Sequence, residues 1–209
     1  MRHFIYFSSK AVTSGSALSK YASGGDLMKA GRMDIAIHSF IQAVFLSHNV
    51  REDVKFHFIF YGMPDPPKHI EITVTKEEGL PEEKKEGRID INKKDIATLI
   101  KKILYKYKPD QKNEVFPGCF IEKKSLFKVI DELIEQGNEI FILDKKGESI
   151  RDAEINKNCV FLLGDHEGLP KRELKRLKEY CTPISIGPKM YFASQTIAVV
   201  NNELDYRGI

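Results

Sequence analysis

The stretch VFLLGDHEGLPKREL, residues 160–174, passes from an apolar run to a charged one through two glycines, three polar residues and a proline. Val160–Leu163 show no polar face, as expected of a strand covered on both sides of its sheet. Beyond it, PKRELKRLKEY reads as a charged helix. Two similar strands flank it in sequence: EIFILDKKG, entering a turn at Gly147, and PISIG, ending at Gly187. From residue 118 onward the order is strand, helix, strand, strand, helix, strand, helix. The fold class this implies is α/β, a mostly parallel sheet flanked by helices.

Toward the amino terminus, HFIYFSS (3–9) and VKFHFIFYG (54–62) have the aromatic and β-branched bias of strands, and MPDPPKHIEITV turns into another. Between the first two, DIAIHSFIQAVFLSH (34–48) sets Ile35, Ile37, Phe40, Ile41, Val44 and Phe45 at helical spacing, with Asp34 placed to cap the start. KKDIATLIKKILYKY predicts an amphipathic helix stopped by Pro109, and SLFKVIDELIEQG a helix closed at Gly137. CFIE reads as a short strand and SQTIAVVNNEL as the last helix. AVTSGSALSKYASGGDLMKAGRMD, EEGLPEEKKEGRIDI and PDQKNEVFPG read as loops.

A chain of 209 residues with 42% hydrophobic and 30% charged residues suits one domain with a proper core. No apolar stretch approaches the roughly 20 residues of a membrane helix, and MRHFIYFSSKAV has no run long enough for a signal peptide. The expected location is the cytoplasm. Cys119, Cys159 and Cys181 are too few and too scattered for a disulfide framework or a metal spacing, so they read as small buried hydrophobes. The net charge is only +3, but KKEGRIDINKK, KKILYKYK and KRELKRLK concentrate positive charge, which allows an RNA partner as well as plain solvated faces.

The phosphate-binding patterns G-x-G-x-x-G and G-x-x-x-x-G-K-[ST] are absent, as is the nucleophile elbow G-x-S-x-G. Asp165, His166 and Glu167 are adjacent residues, which rarely converge on one ion, and no metal is expected. The turns after VFLL and PISI are different. In a parallel sheet both lie at the carboxyl edge, where a glycine lets a flat heterocycle reach the backbone, and Leu143 ends a third strand nearby. Each turn taken alone is equally an ordinary turn.

At these residues FLLGDHEG (161–168), SIGP (185–188) and QTI (195–197) resemble the SPOUT methyltransferases. GRMD (31–34) and FLSHNVRED (45–53) resemble motifs of the archaeal tRNA (pseudouridine-54-N1)-methyltransferases; R-x-D-I is shared with relatives acting on small-subunit ribosomal RNA. The resemblance spans nearly the whole chain, except that residues 63–117 match no motif and are taken as an elaboration. It implies a single SPOUT domain over residues 1–209, a carboxy-terminal trefoil knot within 118–209, and S-adenosylmethionine held by Leu143, Gly164, Ile184, Ile186, Gly187, Met190 and Ser194. It also implies tRNA as substrate and a homodimer through the last helix, whose apolar face Ile197, Val200 and Leu204 suits a partner and a core-facing helix equally. Arg32 and Asp34 become the expected catalytic pair; Ser47, His48, Arg51 and Asp53 are expected to bind RNA or brace their loop. Tyr6, Tyr61 and Tyr191 are candidates to stack an extruded base, or core residues. The rival readings are the same chemistry on ribosomal RNA, a non-catalytic RNA-binding module, and an adenine-nucleotide-binding regulator.

Overall fold

The structure is a computed structural model describing residues 1–22, 26–47, 49–74 and 92–209. Among these, eight strands form one sheet: β1 (Arg2–Ser8), β2 (Val54–Phe60), β3 (Lys68–Thr73), β4 (Asn113–Phe116), β5 (Cys119–Glu122), β6 (Glu139–Ser149), β7 (Cys159–Gly164) and β8 (Thr182–Ser185). The spatial order is β4-β5-β3-β2-β1-β7-β6-β8. The five strands from β2 to β8 in that order pair in parallel, while β3, β5 and β4 continue the sheet by antiparallel pairs.

Six helices cover it: α1 (Gly15–Ala22), α2 (Met33–Val44), α3 (Lys93–Tyr105), α4 (Leu126–Glu135), α5 (Lys171–Leu177) and α6 (Ala193–Arg207). Phe4, Tyr6, Phe56, Phe58 and Phe161 pack on one face against Phe40 of α2, Ile100 of α3 and Val200 of α6. Ile5, Phe7, Ile142, Val160 and Leu162 pack on the other against Ile130 of α4 and Leu177 of α5. Burial on both faces is why these strands lack polar alternation.

Several expectations are corrected. The stretch read as loop after β1 contains α1, whose first turn is capped by Ser14 Oγ accepting from Ala17 N at 3.1 Å; Leu18 is its one fully buried large apolar side chain, too little to make a periodic signal. PDQKNEVFPG contains β4, which forms a hairpin with β5 around Gly118 at φ +69°. The helix expected to reach residue 48 ends at Val44, where Phe45 turns extended and bridges Val50. Asp34 does not cap it; Arg32 is the N-cap residue, in the left-handed region at φ 61°. β6 does not end at the Gly147 turn but bulges between Leu143 and Glu148, so that Ile184 of β8 opposes both. EEGLPEEKKEGRIDI lies outside the described residues.

Ile197, Val200 and Leu204 are fully buried in this chain's own core, so they present no face to a partner. Buried Asn201 of α6 donates to the carbonyls of Gln42 and Ala43 at 3.2 Å and accepts from Arg2 Nη1 at 3.2 Å, which fastens the end of α2 to β1 and α6. The three cysteines are buried and free, and burial pushes their thiols up to about 12, 11 and 12 for Cys119, Cys159 and Cys181. No described helix is long and apolar enough to cross a membrane.

Candidate active site at the carboxyl edge of the sheet

β1, β7, β6 and β8 run in parallel and deliver their carboxyl ends to one edge. Leu143 and Ile184 are register partners there, and Gly164 closes the neighbouring strand. Leu143 and Ile186 are half-buried, whereas the Ile184 side chain is wholly in the core and offers only its backbone to this edge. Met190 is 83% exposed on the loop before α6. Ser194, in the first turn of α6, lines a shallow groove with Tyr191 and Gln42.

The two sequence-marked glycines prove unlike. A Cβ on Gly187 would meet nothing within 4 Å, and its φ of +142° is one that L side chains rarely adopt. That turn leaves open space for a flat ring. A Cβ on Gly164 would stand 2.3 Å from the Gly168 carbonyl carbon and 2.6 Å from Leu169 N. At Gly164 a side chain would thus collide with the 165–169 loop, which folds back on it, while its backbone stays at the end of β7 on the carboxyl edge.

Sequence reading weighed Asp165 only as a metal ligand, and it passed over Ser8. Asp165 turns inward and accepts from Ser8 Oγ at 2.8 Å and from Glu167 N at 2.9 Å. Ser8 Oγ in turn accepts from the amides of Lys10 and Ala11 at 3.3 and 3.1 Å, so the end of β1 is bound to the end of β7. Glu167 points outward to an ion pair with Lys10. The signal that could have found Ser8 and Asp165 is their shared place just at or past the ends of adjacent parallel strands.

Arg32 and Asp34 come together next to this cluster. Arg32 donates from Nε and Nη2 to the two oxygens of Asp34, both at 3.1 Å, a two-pronged pair with side chains 31% and 12% exposed. Burial alone would raise the Asp34 carboxyl, but the Arg32 hydrogen bonds, with the charges of Arg32 and Lys93, hold it below its ordinary value. The same bonds raise the Arg32 guanidinium. Tyr6 is fully buried with a hydroxyl that has no partner among the described residues; burial first, then the charges of Asp165 and Asp34, push its phenol far up, so it stays neutral. It lies edge-on to Phe58 in the core and cannot stack a base. Tyr61 likewise is held, its hydroxyl accepting from Leu126 N at 3.1 Å, and only Tyr191 is substantially exposed.

The residues expected at RNA separate. Ser47 is exposed at a turn tip, and His48 lies outside the described residues. Arg51 donates to both oxygens of Asp205 at 2.7 and 2.5 Å, and Asp53 pairs with buried Arg2 at 3.1 Å, so these two brace the chain against α6.

The mostly parallel sheet with helices on both faces and its strand ends gathered at one edge defines an α/β fold of the ligand-binding kind. Archaeoglobus fulgidus Nep1, solved bound to S-adenosylhomocysteine, superposes with a TM-score of 0.60 over 100% of this chain and 99% of its own; at 13% identity the likeness is one of fold. The chain belongs to the family described as "Putative SAM-dependent RNA methyltransferase", whose model matches residues 1–209. A tRNA (pseudouridine(54)-N(1))-methyltransferase of Methanococcoides burtonii is 34% identical over 98% of this chain and 96% of its own. Its namesake in Methanocaldococcus jannaschii is 31% identical over 100% and 98%.

Proposed function

We propose that this chain transfers a methyl group from S-adenosylmethionine to N1 of pseudouridine 54 in tRNA. The observation that carries the reading is the Arg32–Asp34 pair, partly exposed beside the carboxyl edge, in a chain similar end to end to proteins named for that reaction. The edge fits the donor: Leu143 and Ile186 supply apolar walls, the space at Gly187 admits a flat ring, and backbone groups of the 185–187 turn can read its edge. Met190 and Ser194 complete the set assigned to it. When bound, the donor supplies a methyl group already activated on a sulfonium.

The protein's task is then to orient the base and raise the electron density on N1, whose proton must leave. Arg32, held cationic by Asp34, stabilises the negative charge that develops on the base as that proton departs. Asp34, held low by the same contact, is a weak base whose role is to aim the guanidinium, and the N1 proton passes to solvent water at the open edge. Ser8 and Asp165 fix the loop beneath.

The same reading makes the chain a cytoplasmic homodimer with a trefoil knot in residues 118–209. The dimer face is the outward side of α6, where Ala198, Val199, Gln195 and Ser194, with Tyr191 and Gln42, line a groove of about 350 Å³ and Tyr206 is 90% exposed. The test is nucleoside mass spectrometry after incubation with S-adenosylmethionine and tRNA transcripts carrying pseudouridine or uridine at position 54. N1-methylpseudouridine from the first alone is expected; donor binding without product from either would refute the assignment to position 54.

A further inference from the structure

Away from the carboxyl-edge site, a row of ionisable side chains crosses four strands on the face that carries Ile5 and Ile59. His3 of β1, His57 of β2, His69 of β3 and Glu122 of β5 are all buried. His3 Nδ1 stands 3.0 Å from His57 Nε2, His57 Nδ1 stands 2.9 Å from His69 Nε2, and His69 Nδ1 stands 3.0 Å from Glu122 Oε1. The rings are nearly parallel, at 12° and 16°, with centres 5.3 and 5.2 Å apart. Those separations exceed the N···N distances by about two ring radii, which is possible only when the nitrogens face each other head-on in a common plane. The contacts are therefore linear hydrogen bonds rather than face-to-face stacking.

Glu122 fixes their direction. Burial alone would raise its carboxyl, but hydrogen bonds from His69 and Lys124 hold it at about 2, so it is an acceptor. His69 must donate to it from Nδ1, which leaves Nε2 to accept from His57 Nδ1–H; His57 Nε2 then accepts from His3 Nδ1–H. Three neutral imidazoles thus satisfy three links, and His3 Nε2 remains as the ring nitrogen with no partner among the described residues.

We propose that His3, His57, His69 and Glu122 form a one-proton relay that takes up a proton at the amino end of β1 and delivers its charge to the antiparallel strands. In the transfer His3 binds the proton at Nε2 and passes its Nδ1 proton to His57 Nε2; His57 passes its Nδ1 proton to His69 Nε2; His69 keeps its Nδ1 proton on Glu122. One proton enters, none leaves, both imidazole–imidazole bonds reverse, and the charge rests on His69 between Glu122 and Glu71. A second proton would set two cations on joined rings and break a link.

The surroundings suit one added charge. Lys55, Glu71 and the Met1 amine act on His3; Lys55, Lys112 and Glu71 act on His57, the last at 4.0 Å; Lys124 bridges Glu122 to Glu132 of α4. One nitrogen each of His57 and His69 and a Glu71 oxygen lie within 4.8 Å of one another, near enough to suggest a metal ion. The head-on His57–His69 bond leaves no room for one, and Lys55 and Lys112 already neutralise Glu71 at 3.4 and 3.1 Å.

Nitrogen-15 NMR of the whole chain tests this, with the three other histidines as internal references. Expected at pH 8 are Nδ1–H tautomers at His3, His57 and His69, and on acidification one shared transition seen at all three rings. An Nε2–H tautomer at any of them, or three separate transitions, would overturn the relay. Glu122→Leu, which leaves His69 Nδ1–H no acceptor, is expected to change the tautomer at His3, three links away; an unaltered His3 would mean Glu122 merely anchors Lys124. Stoichiometric binding of added Zn²⁺ with loss of the His57–His69 link would replace the relay with a metal site. The wild-type titration decides the matter even if the variant does not fold.

Discussion

Gly147→Ala isolates the packing that shapes the donor edge. Gly147 is not in the left-handed region, so alanine brings no backbone strain, only a methyl group. That methyl would stand 2.4 Å from Ile184 N, 2.4 Å from the Pro183 carbonyl carbon and 2.5 Å from Ile184 Cα. All three are main-chain atoms, so no side chain can swing away, and β8 must separate from the β6 bulge. Forcing a methyl into a packed interior costs about 2–3 kcal/mol, which in a domain of this size lowers Tm by roughly 4–12 °C. Because β8 leads directly into the 185–187 turn, affinity for S-adenosylmethionine should fall together with stability. Thermal unfolding and calorimetric titration of the donor, run beside Gly137→Ala, give the comparison: Gly137 has positive φ but open space around its Cβ. Wild-type Tm and donor affinity in Gly147→Ala would refute the claim that the bulge and β8 are locked by contact.

Three further outcomes are expected. Arg32→Gly relieves a left-handed residue at φ 61° by up to about 1 kcal/mol but leaves the largely buried Asp34 carboxylate without its partner at about 1–3 kcal/mol, so stability should stay level or fall by up to about 2 kcal/mol, while the methylation rate falls at least ~100-fold with donor binding intact; full activity in single-turnover assays would remove Arg32 from the chemistry. Burial, with Lys55, lowers His3 from 6.5 to about 4, so the folded state binds fewer protons than the unfolded one between those values. Stability is thus full above pH 6.5 and is lost as pH falls toward 4, by about 3 kcal/mol from this group; denaturant titrations of wild type and His3→Gln should differ in slope across that window and not above it. Arg51→Ala should lower stability by about 1–2 kcal/mol, as a partly buried ion pair is lost, yet leave the salt dependence of tRNA binding unchanged; a shallower salt slope would return Arg51 to the RNA surface.

Local pattern carried much of this protein, and its failures have causes. The unbroken apolar runs FIL and VFLL required a sheet buried on both faces, and the charged run after Pro170 required a helix, because burial and periodicity are properties of a dozen neighbouring residues. α1 and β4 were invisible because each is short; α1 fully buries just one large side chain, and no β4 residue is fully buried. Asp34 looked like a cap because capping and ion pairing use the same residue type two positions apart; only the left-handed turn at Arg32 decides between them.

Fold class, the glycine turns at the carboxyl edge and the family resemblance were legible in the amino-acid order, since each depends on residues adjacent in the chain. Only the three-dimensional arrangement shows that the 165–169 loop folds back on Gly164, that Arg51 and Asp53 belong to a brace with α6, and that Ser8 reaches Asp165. It alone lined up His3, His57, His69 and Glu122. Those contacts join residues up to 157 positions apart, and their register is set by strand pairing, which no local pattern encodes.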